Sequence, residues 1–193
     1  MSDREEAGER VLDPSEWVDG HGDFLYRYAK SRLRDANVAE DAVQETFLAG
    51  IRHYEQFRAE GSQRAWLLGI LKRKIVDAIR KRIQSENPDP NECGADFAHR
   101  LFDEKGNWRV DRSPWAAEPG HHIELQELRG LVRDCLERIP HNQADVFVLS
   151  VMEEMTNDEV CRELGISRSN LWVRLHRARL ALAACVGSQW SRD

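Results

Sequence analysis

Four arginines and one histidine fall within the short stretch from Arg168 to Arg179. Guanidinium groups neutralise phosphates and donate in pairs to base edges, so this density of cations offers recognition of a nucleic acid. Such recognition needs the cations on one side of a helix whose other side is held by a core. Leu171, Leu175, Ala178 and Leu182 recur at three and four residues and form that inner stripe. Arg168, Trp172, Val173, His176, Arg177 and Arg179 are left on the other faces.

The residues just upstream supply the element that would present this helix. Thr156 followed by Glu159 is a capping box, which predicts a helix starting near Asn157 with Val160 and Leu164 as its apolar stripe. Gly165 fits the left-handed residue that ends it, and Ser167 can cap the next helix at Arg168. Two helices joined at a tight corner make a helix-turn-helix. An ordinary helical hairpin with a solvated basic face would show the same spacings.

A second cluster of positive charge precedes it by about a hundred residues. Residues 58–82 carry 8 Lys/Arg against 2 Asp/Glu, and residues 162–179 carry 5 against 1, whereas residues 83–161 carry 7 against 17. The formal net charge of -6 therefore hides two phosphate-attracting islands separated by an acidic stretch. In the first island a loop from Phe57 to Gln63 containing Gly61 leads into a helix expected over Arg64 to Arg82. Trp66, Leu67, Ile70, Leu71, Ile75, Ala78 and Ile79 give that helix its apolar period, and Lys72, Arg73, Lys74, Arg80, Lys81 and Arg82 its charge. A loop beside a basic helix can hold splayed single-stranded bases. Trp66 reads as core.

Composition bounds the alternatives. With 193 residues and 41% hydrophobic side chains the chain can bury a core as one domain or two small ones. No run approaches the roughly 18 apolar residues of a membrane helix, and the acidic start MSDREEAGER is unlike a signal peptide, so a cytoplasmic protein is expected with no membrane insertion. Cys93, Cys135, Cys161 and Cys185 contain no C-x-x-C pair and are expected as reduced, mostly buried thiols. Cys93, His99, His121 and His122 match no zinc module, so neither metal nor any other cofactor is expected. Phosphate-loop, zinc-protease and serine-hydrolase motifs are missing, as is any alternating strand pattern, which argues against an enzyme.

Elsewhere the period is helical throughout, giving an all-α expectation. Residues 1–20 are polar and expected to fray. A helix from Asp23 carries Phe24, Leu25, Tyr28, Ala29 and Leu33, with a break at Asn37 to Ala39. A second, from about Val38 to Gln56, buries Ala42, Val43, Phe47, Leu48 and Ile51 and exposes Glu40, Asp41, Gln44 and Glu45. Residues 83–122 are rich in Pro, Gly, Asp and Glu and read as a linker. Phe97, Leu101, Phe102, Trp108 and Trp115 are many large apolar groups for an inert tether. Helices resume from Ile123 to Pro140 and around Val146 to Met152, completing a four-helix C-terminal domain with the helix-turn-helix.

Asp41-Ala-Val-Gln44-Glu45-Thr46-Phe47, Phe57-Arg58-Ala-Glu-Gly61-Ser62, Ala65-Trp66-Leu67, Asp77 and Arg80-Lys81-Arg82 together resemble region two of the extracytoplasmic-function (ECF) sigma factors of bacterial RNA polymerase. Ile139-Pro140, Phe147-Val148-Leu149 and Val173-Arg174-Leu175-His176-Arg177-Ala178-Arg179 resemble their region four. The resemblance implies two small helical domains joined by a flexible linker. A flexible N-terminus (1–20) would precede a region-two domain (21–83), an acidic linker (84–122), a region-four helix-turn-helix domain (123–186) and a tail (187–193). It implies a factor that docks on core RNA polymerase through Asp41, Gln44 and Glu45. Arg58, Ser62, Gln63, Lys72, Arg73 and Arg80 would melt and read the non-template strand of the minus-ten element. Arg168, Ser169, Trp172, Val173, His176 and Arg177 would read the double-stranded minus-thirty-five element, and an anti-sigma factor would control the whole. A helix-turn-helix regulator acting without polymerase is the competing reading.

Overall fold

Trp17 sets the start of the first helix. The structure, a computed structural model, describes residues 16–57, 62–85 and 125–190 of the chain. Helix α1 spans Trp17–Leu33. The Trp17 indole is buried, edge-on to Trp66 with ring centroids 5.8 Å apart. An indole brings a large apolar area into a core, enough to draw the helix start upstream of the expected Asp23. Much of the stretch expected to fray, residues 1–15, lies outside the described residues.

The break after α1 also falls earlier than Asn37 to Ala39. Arg34 takes a left-handed conformation (φ 63°) with its N–H on the Lys30 carbonyl, and Asp35 caps helix α2 (Ala36–His53) by accepting from the Asn37 and Val38 amides. A carboxylate on the free amides of a first turn satisfies two of them and favours the positive end of the helix dipole. Helix α2 buries a face of small residues, Ala39, Ala42, Val43, Thr46 and Gly50. A Cβ on Gly50 would come within 2.7 Å of the Trp17 ring and 3.1 Å of a Leu67 methyl, so the close approach of α1 and α3 requires glycine there. That face keeps Ala42 and Val43 of the expected stripe, with Phe47 packed beside them, but not its last two members. Leu48 and Ile51 are 53% and 47% exposed rather than buried.

After the short 3-10 turn Tyr54–Gln56 comes α3, Gln63–Ser85. It buries Leu67, Leu71, Ile75, Ile79 and Ile83, one residue per turn along a single line. Trp66 packs against this core between Trp17 and Phe57, as its spacing suggested.

The second half comprises α4 (Leu125–Leu136), α5 (His141–Phe147) with a following π-turn (Val148–Met152), α6 (Asn157–Leu164) and α7 (Arg168–Trp190). The corner between α6 and α7 is built as the sequence indicates. Thr156 and Glu159 form both bonds of the capping box, Gly165 is left-handed (φ 66°), and the Ser167 hydroxyl accepts from the Asn170 amide at 3.2 Å. Most of the expected linker, 86–122, lies outside the described residues, while Gln84 and Ser85 end α3.

Cys135 and Cys185 correct the expectation of reduced thiols. They form a disulfide joining α4 to α7, with Cα atoms 5.9 Å apart, inside the span that a disulfide bridges. A pair separated by 50 residues carries no local spacing signal. Cys161 is free and partly buried, and burial pushes its thiol pKa up.

The two halves share a core. Buried residues of α1 to α3 form one cluster with Val146, Val148, Leu149, Val160, Leu164, Leu171 and Leu175, while Cys135, Leu136, Ile139, Ala144, Ala178 and Leu182 form a second. Asp145, fully buried on α5, is gripped by two arginines of the first half. Its Oδ1 accepts from Arg34 and Arg82 Nη2, each at 2.6 Å, and its Oδ2 from Arg82 Nε at 3.0 Å. Burial pushes the Asp145 carboxyl above the usual carboxylate range, against the pull of Arg82 and Arg34. The same burial lowers the Arg34 guanidinium.

Candidate nucleic-acid interface

On α7 the inner stripe is as expected, with Leu171, Leu175, Ala178 and Leu182 all buried. The outer side is narrower than the periodicity indicated. Val173 and His176 are only 2% and 3% exposed, and Arg174 is buried as well, so these do not face solvent in this arrangement. Apolar spacing reports which face must be covered and is silent on whether the opposite face is covered too. Trp172, Arg177 and Ser169 are partly buried, with the Ser169 hydroxyl 3.0 Å from that of Ser167. Arg168 is exposed and held by Asp158 at 2.5 Å, which places it at the front of the corner with its charge partly neutralised.

Burial, and then Arg179 and Arg177, hold the His176 imidazole below its ordinary value. A depressed folded-state pKa means that the neutral ring is favoured by folding. Its contribution is present above the unfolded value of 6.5 and is lost as the pH falls from there through the folded pKa. Acidifying from about pH 7.5 to about 5.5 should therefore lower the melting temperature of wild type more than that of His176→Gln. Equal drops in the two proteins would show that His176 is solvated in solution.

On α3, Ser62 and Gln63 sit at the helix start, with the Ser62 hydroxyl accepting from the Ala65 amide at 3.2 Å. Lys72 and Arg73 are exposed two to three turns on, and Arg80 follows lower down the same helix. Of these, Lys72 and Arg73 line a cleft of about 470 Å³ between α3 and α6, with Asp77, Glu153 and Glu163 among its other walls. Lys72 Nζ lies 3.1 Å from Glu153, and Arg80 pairs with Asp77 and with Glu163 at 3.4 Å. Arg58 lies outside the described residues.

On α2, Asp41, Gln44 and Glu45 all project into solvent. Lys74 donates to Glu45 at 2.9 Å and holds its carboxyl below the usual range. Leu48, Ile51 and Tyr54 continue the same face at helical intervals, so the surface is acidic at one end and apolar at the other. Sequence reasoning placed two of these apolar residues inside. The available signal was their register with Asp41 and Gln44. Exposed apolar area rimmed by charge marks surfaces that bind proteins.

Among the described residues no three His, Cys, Asp or Glu side chains are grouped to hold a metal ion, and no helix is long and apolar enough to cross a membrane. The arrangement as a whole provides two basic helices and one acidic, partly apolar helix face, which is equipment for binding.

Comparison with known proteins agrees with this geometry. Residues 17–83 match the family model Sigma-70 region 2, and residues 129–182 match Sigma-70, region 4. A "Probable RNA polymerase sigma factor" of Haemophilus influenzae is 30% identical over 170 residues, covering 86% of this chain and 85% of that protein. The "ECF RNA polymerase sigma factor SigM" of Bacillus subtilis is 23% identical over 160 residues, covering 83% and 86%. Among solved structures, the sigma factor RpoE in complex with the anti-sigma factor NepR from Bartonella quintana is similar over 86% of this chain and 91% of that one, at 19% identity and a TM-score of 0.42. With both regions in order on α1 to α3 and α4 to α7, and a relative this similar over most of both lengths, the chain belongs to the sigma-70 family of RNA polymerase sigma factors, in the two-region form of its ECF members.

Proposed function

We propose that the chain does its work as an alternative sigma factor through three surfaces. The outer face of α2, with Asp41, Gln44 and Glu45 extended by Leu48 and Ile51, docks on core RNA polymerase. The start of α3 and its basic face, with Ser62, Gln63, Lys72, Arg73 and Arg80, and with Arg58 in the preceding loop, hold the melted non-template strand of the minus-ten element. The helix-turn-helix reads the minus-thirty-five element through Arg168, Ser169, Trp172 and Arg177, with Val173 and His176 joining once α7 is uncovered. An anti-sigma factor is the regulator that the family likeness implies. In this reading the factor needs no catalytic residue or cofactor of its own and acts in the cytoplasm, where the polymerase is.

The observation that carries the reading is the α2 face, because a soluble helix has no structural need for leucine, isoleucine and tyrosine in solvent beside three polar anchors. Reversing Asp41 and Glu45 to lysine should weaken core association at least about tenfold while leaving stability within roughly 0.5 kcal/mol, since exposed helix charges contribute little to folding. Binding of the folded double variant to core enzyme, followed by fluorescence anisotropy, checks this. Undiminished association would remove α2 as the docking face.

A further inference from the structure

The disulfide between Cys135 and Cys185 is the one covalent tie between helices among the described residues, and none of the three binding surfaces uses it. In the cytoplasm, where the reading above places the factor, thiols are kept reduced, and the disulfides that do form are mostly transient and serve catalysis or redox sensing. The two sulfurs differ in access. Cys135 on α4 is fully buried in the small second cluster, beside Leu136, Ile139 and Leu182. Cys185 is partly exposed near the end of α7, where the Gln189 amide donates toward its sulfur at 3.9 Å. A reagent arriving from solvent therefore meets Cys185 first, with Cys135 behind it. Cys161 on α6 is held as an unreactive thiol, because burial raises its pKa and withholds the thiolate.

The tie also lies where the recognition segment can feel it. Helix α7 is continuous from Arg168 to Trp190, and its inner stripe is divided, with Leu171 and Leu175 in the first core cluster and Ala178 and Leu182 in the second. Joining residue 185 to α4 fixes the far end of the helix whose front carries Arg168, Trp172 and Arg177, roughly 12 Å from Arg177 at about 1.5 Å per residue. The bridge spans 50 residues and encloses the whole helix-turn-helix, so it restrains the unfolded chain over that stretch. With the thiols reduced, α4 is held to α7 by the few side chains of the second cluster.

We propose that Cys135 and Cys185 are a reversible oxidation site, with a hydroperoxide as oxidant and a dithiol as reductant, whose disulfide form steadies α7 and strengthens its reading of the minus-thirty-five element. The effect on promoter reading rests on the assignment of α7 as the duplex reader. With hydrogen peroxide, the Cys185 thiolate attacks one oxygen and becomes a sulfenic acid. The O–O bond breaks, and the other oxygen takes a proton and leaves as water. The Cys135 sulfur then attacks that of Cys185. The S–O bond breaks, and the departing hydroxide takes the Cys135 proton and leaves as a second water. Two thiols have given two electrons to one peroxide. Reduction starts with a dithiol attacking the Cys185 sulfur and expelling the Cys135 thiolate. The second sulfur of the dithiol then frees Cys185 and carries the disulfide away.

The test uses the full chain carrying Cys93→Ser, since Cys93 lies outside the described residues, and the same chain with Cys185→Ser added. Each is reduced and desalted, then treated with a small excess of hydrogen peroxide that catalase removes, or left reduced, before core enzyme is added. On oxidation the titratable thiols of the first protein should fall from three to one, because Cys135 and Cys185 pair while Cys161 stays free. Its melting temperature should rise by about 5–15 °C, and a thioredoxin-type dithiol should reverse both changes. Run-off transcription should be about threefold or more stronger from the oxidised chain, since a preorganised helix binds its site more tightly. The Cys185→Ser protein should transcribe at the level of the reduced chain after either treatment. Thiols that survive the peroxide, or a disulfide that the dithiol cannot open, would overturn reversible oxidation. A reversible disulfide with unchanged transcription would overturn the coupling to promoter reading and leave the sigma assignment standing. Promoter-directed transcription missing from both forms, with thiol counts and melting as expected, would instead overturn α7 as the duplex reader and the coupling with it.

Discussion

Replacing Asp145 with alanine should destabilise the chain by about 3–5 kcal/mol, among the largest effects of any single change outside the apolar core. The carboxylate is fully buried between Arg34 and Arg82, and the Arg34 side chain is itself 2% exposed. Removing the acid leaves two guanidinium groups with no anion between them, that of Arg34 buried and that of Arg82 about one-fifth exposed. The loss comes mainly from that stranded charge, since an intact buried pair roughly offsets its own desolvation. Urea unfolding of the full chain measures it. A loss under about 1 kcal/mol would mean that Asp145 is solvated in solution and that the halves are not joined through it. Pairing Asp145→Ala with Arg34→Met should recover part of the loss, because the worst-placed charge then goes as well.

Leu171→Ala should cost about 2–5 kcal/mol and should abolish function at the helix-turn-helix by melting it. Leu171 is fully buried where α7 meets α6, in the cluster that includes Val160 and Leu164. Truncation loses the transfer energy of three carbons' worth of side chain and leaves a cavity that the short α6 and the long α7, joined by a three-residue corner, are poorly placed to close. Arg177→Ala on the same helix should leave the melting temperature nearly unchanged. If Arg177 pairs with a base, discrimination at one minus-thirty-five position should fall by about 1–3 kcal/mol. A phosphate contact would instead weaken all promoters alike and lower the salt slope by roughly one unit. Equal stability loss in Leu171→Ala and Arg177→Ala would contradict the division of α7 into an inner and an outer side.

What could be read from the sequence was what is local. Thr156, Glu159, Gly165 and Ser167 fix the corner through bonds that span three or four residues, so their spacing carries the geometry. The apolar line of α3 was legible for the same reason. The start of α1 was not, because Trp17 is held by Trp66 and by the absence of a side chain on Gly50, residues 49 and 33 positions away. Leu48 and Ile51 show the limit of hydrophobicity as a guide to burial. The α2 face that packs is the one made of small residues, and the larger aliphatic ones are left for a partner. The contact between the halves was the least legible part. Tyr28 and Glu153 are 125 residues apart, and in sequence each belongs to an ordinary amphipathic pattern. Even so, the acid-rich middle of the chain was visible as a charge imbalance, and Asp145 and Glu153 belong to it.

The family and the surfaces converge on one claim, that this chain confers promoter choice on core RNA polymerase. Run-off transcription with purified core enzyme and a pool of promoter templates from the source genome tests it most directly, with and without the chain, beside a DNA-binding assay of the chain alone. The account predicts transcripts from a small set of promoters sharing one pair of elements, only when chain and core are both present, and lost with the Asp41→Lys/Glu45→Lys variant. Nanomolar binding of the chain alone to a palindromic duplex at physiological salt, with no promoter-specific transcript when core is added, would contradict it and point to a regulator that works without polymerase.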